Sequence, residues 1–362
     1  MRILTVRGYP RKDGHTGYIT DLVVQGAKEA GACIDDIDLY TKKINRCIGC
    51  FQCWSLTPGT CIHSDDMPGL INLLYNADML LIATPLYNYT LSSICKQFIE
   101  RLLPCTKQET VQCENGLLRN RERFPEKWGQ KKFAVISACA FRSLDNFNAL
   151  EKTCALIAHS LNMTYIGAVL RPESYLLPFT ISKPGTIKII EAALTQCGRE
   201  LAVNGTLPGK LLEKVATPLA GNLEHFQNYS DIYWKEVTAL GKAGTDLKRV
   251  QSAVVHNVRI LMHEMARCIN PRATARVQAA VQFNFTDKGL HYCLTINKGA
   301  CILEEKVSPE PDLSISTDSI TWAQLFTREL AARDALLRNK IVLTGDKNLF
   351  MRLERYFPPP SG

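Results

Sequence analysis

No apolar run in the 362 residues approaches the ~18–20 needed to span a bilayer. The opening stretch, Met1 to Arg7, returns to charge too soon for a secretory signal. A block of like charge is missing as well. Residues 1–240 carry 26 basic and 23 acidic side chains, and residues 241–362 carry 17 and 12, so the net +8 is spread thinly. Without a basic stripe or tail, nucleic-acid binding is not expected. The chain is therefore expected to be cytoplasmic, with no transmembrane segment and no nucleic-acid partner.

Hydrophobic residues make up 46%, enough for a substantial core, and the length suits two domains. The 14 cysteines are unevenly placed, with four between Cys47 and Cys61. The chain is far too long for a small disulfide scaffold. Scattered cysteines such as Cys95 and Cys154 read as small core residues, whereas a tight cluster points to a metal or a redox role.

The first half alternates strand and helix patterns. Arg2–Arg7 reads as a strand, His15–Ala30 as a helix and Ala32–Leu39 as a strand. Met79–Thr84, stopped by Pro85, is a nearly continuous apolar run, as expected of a strand buried on both faces. Lys132–Ala138 and Tyr165–Leu170 continue the series. This is the pattern of an α/β doubly wound parallel sheet, which binds ligands beyond the carboxyl ends of its strands. The loop Gly8–Thr16 brings Arg11, Gly14, His15 and Thr16 to a helix N-terminus, which suits a phosphate. It contains neither G-x-G-x-x-G nor G-x-x-x-x-G-K-[ST], so the common nucleotide fingerprints are excluded there. An ordinary strand–helix turn fits it equally well. Pro85, Leu86, Tyr87 and Asn88 offer flat faces and polar edges to a planar ring, and Ser137 and Cys139 lie in a small-residue loop at the same edge.

These three loops together resemble the NAD(P)H-dependent flavin mononucleotide (FMN) reductases of the flavodoxin-like superfamily, over about residues 1–235. The resemblance implies a phosphate held by the first loop, an isoalloxazine ring against Pro85–Asn88, and closure by the loop at Ser137–Phe141. It also implies NAD(P)H as co-substrate. Tyr9 stands where many relatives have Ser.

Cys47-Ile-Gly-Cys50-Phe-Gln-Cys53 places three thiols at a spacing that wraps a cuboidal cluster, each reaching a different iron, with Cys61 following seven residues later. Zinc more often takes two separated pairs, and none is found here. Cluster, zinc and bare thiols all stay open on spacing alone. The motif resembles that of the iron–sulfur flavoproteins, which implies a [4Fe–4S] cluster on Cys47, Cys50, Cys53 and Cys61. The same resemblance implies a homodimer or higher homo-oligomer, and a ferredoxin-like electron carrier as partner. The basic stretch Pro104–Lys132 reads as a solvated charged loop, or as a lid.

A boundary is expected near residues 240–245, separating a domain at 1–240 from one at 246–362. A helix from Asp246 to Cys268 then gives way to two-residue alternation at Val281, Phe283 and Phe285 and at Tyr292, Leu294 and Ile296. Asn297-Lys298-Gly299 is a hairpin turn and Asp318 a helix cap. This smaller α+β half, over about 250–358, resembles the sterol carrier protein type 2 fold. That resemblance implies a lipid or acyl ligand; a purely packing role fits the apolar pattern equally. The expected function is a flavin-dependent oxidoreductase moving electrons between NAD(P)H or a carrier, FMN and a [4Fe–4S] cluster. No acid–base catalytic residue stands out. Two other functions fit: a non-enzymatic electron carrier or redox sensor, and a lipid-binding protein on a flavodoxin-like scaffold.

Overall fold

The computed structural model describes residues 1–113, 116–128, 130–177, 184–239, 257–326 and 329–358. The chain divides into two compact units, Met1–Tyr175 with Lys188–Pro218, and Leu176–Ile187 with Leu219–Gly362. The expected boundary at 240–245, and residues 246–256 of the expected helix, lie outside the described residues.

The first unit is built on five parallel strands: β1 (Arg2–Arg7), β2 (Cys33–Asp38), β3 (Met79–Pro85), β6 (Lys132–Ala138) and β7 (Thr164–Arg171). Their order is β2-β1-β3-β6-β7, the flavodoxin-like sequence 2-1-3-4-5 of a doubly wound sheet. Every residue of β3 is buried, because helices cover both faces. Leu4, Val6, Leu80, Ile82, Phe133 and Val135 share one core cluster with α2 (Met67–Asn76), α3 (Ser93–Glu100) and α5 (Asn148–Ser160). On α1 (His15–Glu29), Ile19, Val23 and Ala27 recur at helical spacing and are buried.

The long helix α6 (Pro184–Val203) crosses α1 at two glycines. A Cβ on Gly26 would lie 1.8 Å from the Thr195 carbonyl oxygen, and one on Gly198 1.9 Å from that of Val23. Only glycine allows the two backbones this approach. The stretch after α3, expected as a charged loop, is instead a two-stranded hairpin, β4 (Thr106–Gln112) with β5 (Leu118–Glu122), followed by the short α4 (Pro125–Trp128).

The second unit contains a mixed sheet in the order β10-β9-β8-β11-β12, made of β8 (Gln278–Phe285), β9 (Leu290–Asn297), β10 (Ala300–Glu304), β11 (Leu313–Thr317) and β12 (Ile341–Gly345). β8 and β11 are parallel and the other pairs antiparallel. Lys298 and Gly299 both have positive φ, the geometry of the tight turn expected there. Asp318 accepts from the Thr321 N–H at 2.8 Å and so caps its helix as expected. Phe283, Tyr292, Leu294, Ile315, Trp322 and Leu353 belong to the core of this unit.

Candidate active site and cysteine pocket

Because the five strands of the first unit are parallel, the loops after β1, β2, β3 and β6 all leave the sheet at its carboxyl edge. Hydrogen bonds knit them together. Gly8 N–H donates to Ala83 O at 2.8 Å, and Ser92 Oγ donates to Gly8 O at 2.6 Å. Leu86 N–H donates to Ala138 O at 3.0 Å. The sequence-predicted residues of these loops thus share one edge.

Gly14 is the N-cap of α1, and no side chain caps the helix, so the first-turn N–H groups face outward from a 15-residue helix. Thr16 is buried in that turn and Arg11 is exposed. Burial, with the Arg11 charge beside it, pushes the His15 imidazole down to about 4. The Tyr9 ring lies beside Gly17 in the first turn of α1, and its hydroxyl accepts from Arg7 at 2.6 Å; Arg7 is in turn paired with Asp21 and Asp36.

Beyond Pro85 the chain folds into a tight turn. Tyr87 and Thr90 exchange backbone hydrogen bonds, while Asn88 and Tyr89 have φ of 47° and 65°. Positive φ in a bulky residue such as Tyr89 is strained, and such strain concentrates at functional sites. The Tyr89 ring lies parallel to that of Phe141 across the edge, with centroids 6.1 Å apart, and both are exposed. Ser137 Oγ is buried without a hydrogen-bond partner. Cys139 is fully engaged within the fold. Its N–H donates to Arg171 O and its carbonyl accepts from Ser174. Burial pushes its thiol up to about 12. What Cys139 offers a ligand is shape rather than a polar contact.

The loop after β2 carries the four clustered cysteines. Cys47, Cys50, Cys53 and Cys61 line one pocket, together with His63, Arg101 and Leu103. Burial first, then the thiols of Cys61, Cys47 and Cys50, push Cys53 above its ordinary range. Among the described residues, no three His, Cys, Asp or Glu side chains converge where one metal ion could be held. All four cysteines of the loop are among the residues that line this one pocket.

That loop has little secondary structure of its own and is pinned by distant side chains. Arg101 donates to Asp65 Oδ2 at 2.6 Å and to Oδ1 at 3.2 Å, and also to Asn45 O. Both side chains of this ion pair are buried, at 1% and 0% exposure. Asp65 accepts two backbone N–H groups besides, from Asn45 and Met67. Arg123, at the foot of the hairpin, donates to Cys53 O, Pro104 O and Thr106 O. Its side chain lies over Gly59, whose φ of +85° suits glycine alone. Trp54 Nε1 donates to Leu103 O at 3.0 Å. Other cations of the basic stretch are similarly occupied: Arg119 pairs with Glu122, and Lys131 is buried on carbonyls.

Residues 1–171 match the NADPH-dependent FMN reductase family. Residues 263–358 match the SCP-2 sterol transfer family. An iron-sulfur flavoprotein of Archaeoglobus fulgidus is 31% identical over 116 residues, 32% of this chain and 52% of the relative. One from Methanocaldococcus jannaschii is 33% identical over 28% of this chain and 50% of the relative. The chain thus spans about half the length of the curated relatives it matches. Among solved structures, an FMN-dependent NADH-azoreductase from Bacillus anthracis, in complex with FMN, is 14% identical at a TM-score of 0.43, over 56% of this chain and 99% of that one. Within the FMN reductase match, spacing alone had grouped the four cysteines that line this pocket. The Asp65–Arg101 pair, Arg123, His63 and the Tyr89–Phe141 pair were not anticipated. The one available signal was Arg101 itself, a charge set among Phe98, Leu102 and Leu103.

Proposed function

We propose that the chain is an FMN-dependent oxidoreductase that draws electrons from NAD(P)H and exchanges them with a [4Fe–4S] cluster. The N–H groups at the start of α1, with Arg11, Gly14, His15 and Thr16, would hold the flavin phosphate. Pro85, Leu86, Tyr87 and Asn88 would edge the ring, and Ser137 has a free buried hydroxyl to offer. Cys47, Cys50, Cys53 and Cys61 would hold the cluster. When bound, the flavin supplies hydride acceptance and one-electron release, and the cluster a one-electron store.

The observation that carries the reading is the opening of the thiol-lined loop at the same sheet edge as the three flavin-type loops. Four thiols lining one pocket also suit a cluster. A tetrahedral zinc with ~2.3 Å bonds needs sulfurs about 3.8 Å apart, whereas a cuboidal cluster takes one thiolate per iron. The test is anaerobic purification with flavin, iron and sulfide analysis. Cys50→Ala should lose iron and sulfide and keep FMN; stoichiometric zinc without iron would overturn the assignment. Turnover of NAD(P)H with quinones or dyes separates an enzyme from a passive carrier or sensor. A homo-oligomer and a ferredoxin-like partner belong to the same proposal, and sedimentation and ferredoxin-coupled reduction would check them.

A second reading concerns the SCP-2-matching unit. A cavity of about 390 Å³ is lined by Met265, Trp322, Phe326, Phe350, Leu353 and Phe357 among others. Its size and apolar walls suit a lipid or acyl chain. Organic extraction of the purified chain, followed by mass spectrometry, should yield a lipid; an empty extract together with no binding of fluorescent acyl probes would leave the unit a packing role.

A further inference from the structure

Two residues that line the thiol pocket each carry a buried nitrogen without a hydrogen-bond partner. They are His63 and Arg101. His63 Nε2 and Arg101 Nε are each buried without a hydrogen-bond partner. Both nitrogens have lost water, and a buried N–H left unpaired costs ~1–3 kcal/mol. Native interiors rarely tolerate this twice in one place.

Exposure alternates along the segment: Cys61, His63 and Asp65 are shielded, whereas Ile62, Ser64 and Asp66 are exposed. Cys61, Ile62 and His63 all line the pocket, and of these Cys61 and His63 are the more shielded. Asp65 takes the Arg101 fork through the two terminal nitrogens of the guanidinium. That grip leaves the Arg101 Nε–H without a partner of its own, in a side chain only 1% exposed whose guanidinium also interacts with the Cys61 thiol.

The expected partner of two such donors is an anion rich in acceptors. A lone metal cation has none. A cluster has bridging sulfides and thiolate sulfurs, all negatively polarised. We propose that His63, as its Nε2–H tautomer, and Arg101 Nε donate hydrogen bonds to sulfur atoms of the cluster in this pocket, making His63 a positioning residue that raises its reduction potential. The proposal rests on the cluster reading above. Hydrogen bonds to sulfur favour the more negative, reduced state, so their removal lowers the potential.

The test uses full-length protein purified anaerobically, with His63→Leu and His63→Gln variants. Iron and sulfide are assayed first. Wild-type protein lacking both would overturn the cluster reading, and this proposal with it. With the cluster present, EPR-monitored redox titration should show His63→Leu shifted to lower potential, about tenfold in the reduction equilibrium constant, or ~59 mV for a one-electron couple. His63→Gln, which keeps an N–H donor, should recover part of the shift. Pulsed EPR in D₂O should show an exchangeable proton coupled to the wild-type cluster and absent in His63→Leu. Potentials within a few millivolts of wild type in both variants, or the same proton coupling in His63→Leu, would refute the donor role of His63 while leaving the cluster intact. Loss of iron from both variants would make His63 a ligand instead and refute the proposal equally.

Discussion

Arg101→Met removes the cation from a fully buried pair. The Asp65 carboxylate then keeps two backbone donors, from Asn45 and Met67, but no countercharge. Breaking a buried pair from one side costs ~3–5 kcal/mol, because a charge is stranded. With a urea dependence of ~2 kcal/mol per M, the unfolding midpoint should fall by about 1.5–2.5 M. Two compact units make a global optical signal ambiguous, so the assay is pulsed hydrogen exchange across the urea series, read on peptides from residues 67–105. Burial opposes charge on Asp65, yet the hydrogen bonds from Arg101, Asn45 and Met67 hold its carboxyl below the ordinary range. A depressed carboxylate contributes stability that is present above the unfolded pKa of ~3.9 and lost as pH falls through the folded value. The experiment therefore belongs at pH 7, where that contribution is complete. Asp65→Leu combined with Arg101→Met should recover much of the loss, since no charge remains buried. A midpoint shift below about 0.5 M for Arg101→Met alone would refute the reasoning.

Three further outcomes are expected. Gly198→Ala should destabilise the first unit by ~1–3 kcal/mol, seen as a lower thermal midpoint, because its methyl meets the Val23 carbonyl backbone rather than a movable side chain. Thr16→Val should weaken FMN binding by ~1–3 kcal/mol in a fluorescence titration, and unchanged affinity would remove Thr16 from the phosphate site. His15, at about 4 in the fold against ~6.5 unfolded, is held neutral, so the flavin-free protein should lose stability as pH falls from 6.5 towards 4; His15→Gln should flatten that slope in pH-dependent urea melts.

The parts of the fold that could be read in advance were those where local pattern and tertiary role agree. Met79–Pro85 is apolar but for Thr84 because both of its faces are covered, and Lys298-Gly299 carries its turn chemistry in two letters. The grouping of the four cysteines was legible for the same reason, since their spacing is local. The hairpin Thr106–Glu122 was not. Its strands are polar and largely exposed, so no periodicity marks them off from a loop. The Asp65–Arg101 pair joins residues 36 apart, and no local rule connects them. His63 offered only a lone imidazole until folding set it beside the thiols. The helix crossing at Gly26 and Gly198 depends on two backbones meeting, and each glycine by itself looks like a weak point in a helix.

The cysteine loop owes its order to side chains that follow it in the chain, Arg101 and then Arg123. This has a consequence for biosynthesis. The sixty-odd residues from Cys61 to Arg123 take roughly 3–12 s to make at ~5–20 residues per second. During that interval the four thiols have left the ribosome without the two arginines that shape their pocket. They are then free to oxidise, to pair wrongly or to capture a stray metal ion. Maturation should therefore be most sensitive to oxygen and free metal in the seconds before the hairpin closes, and far less so afterwards.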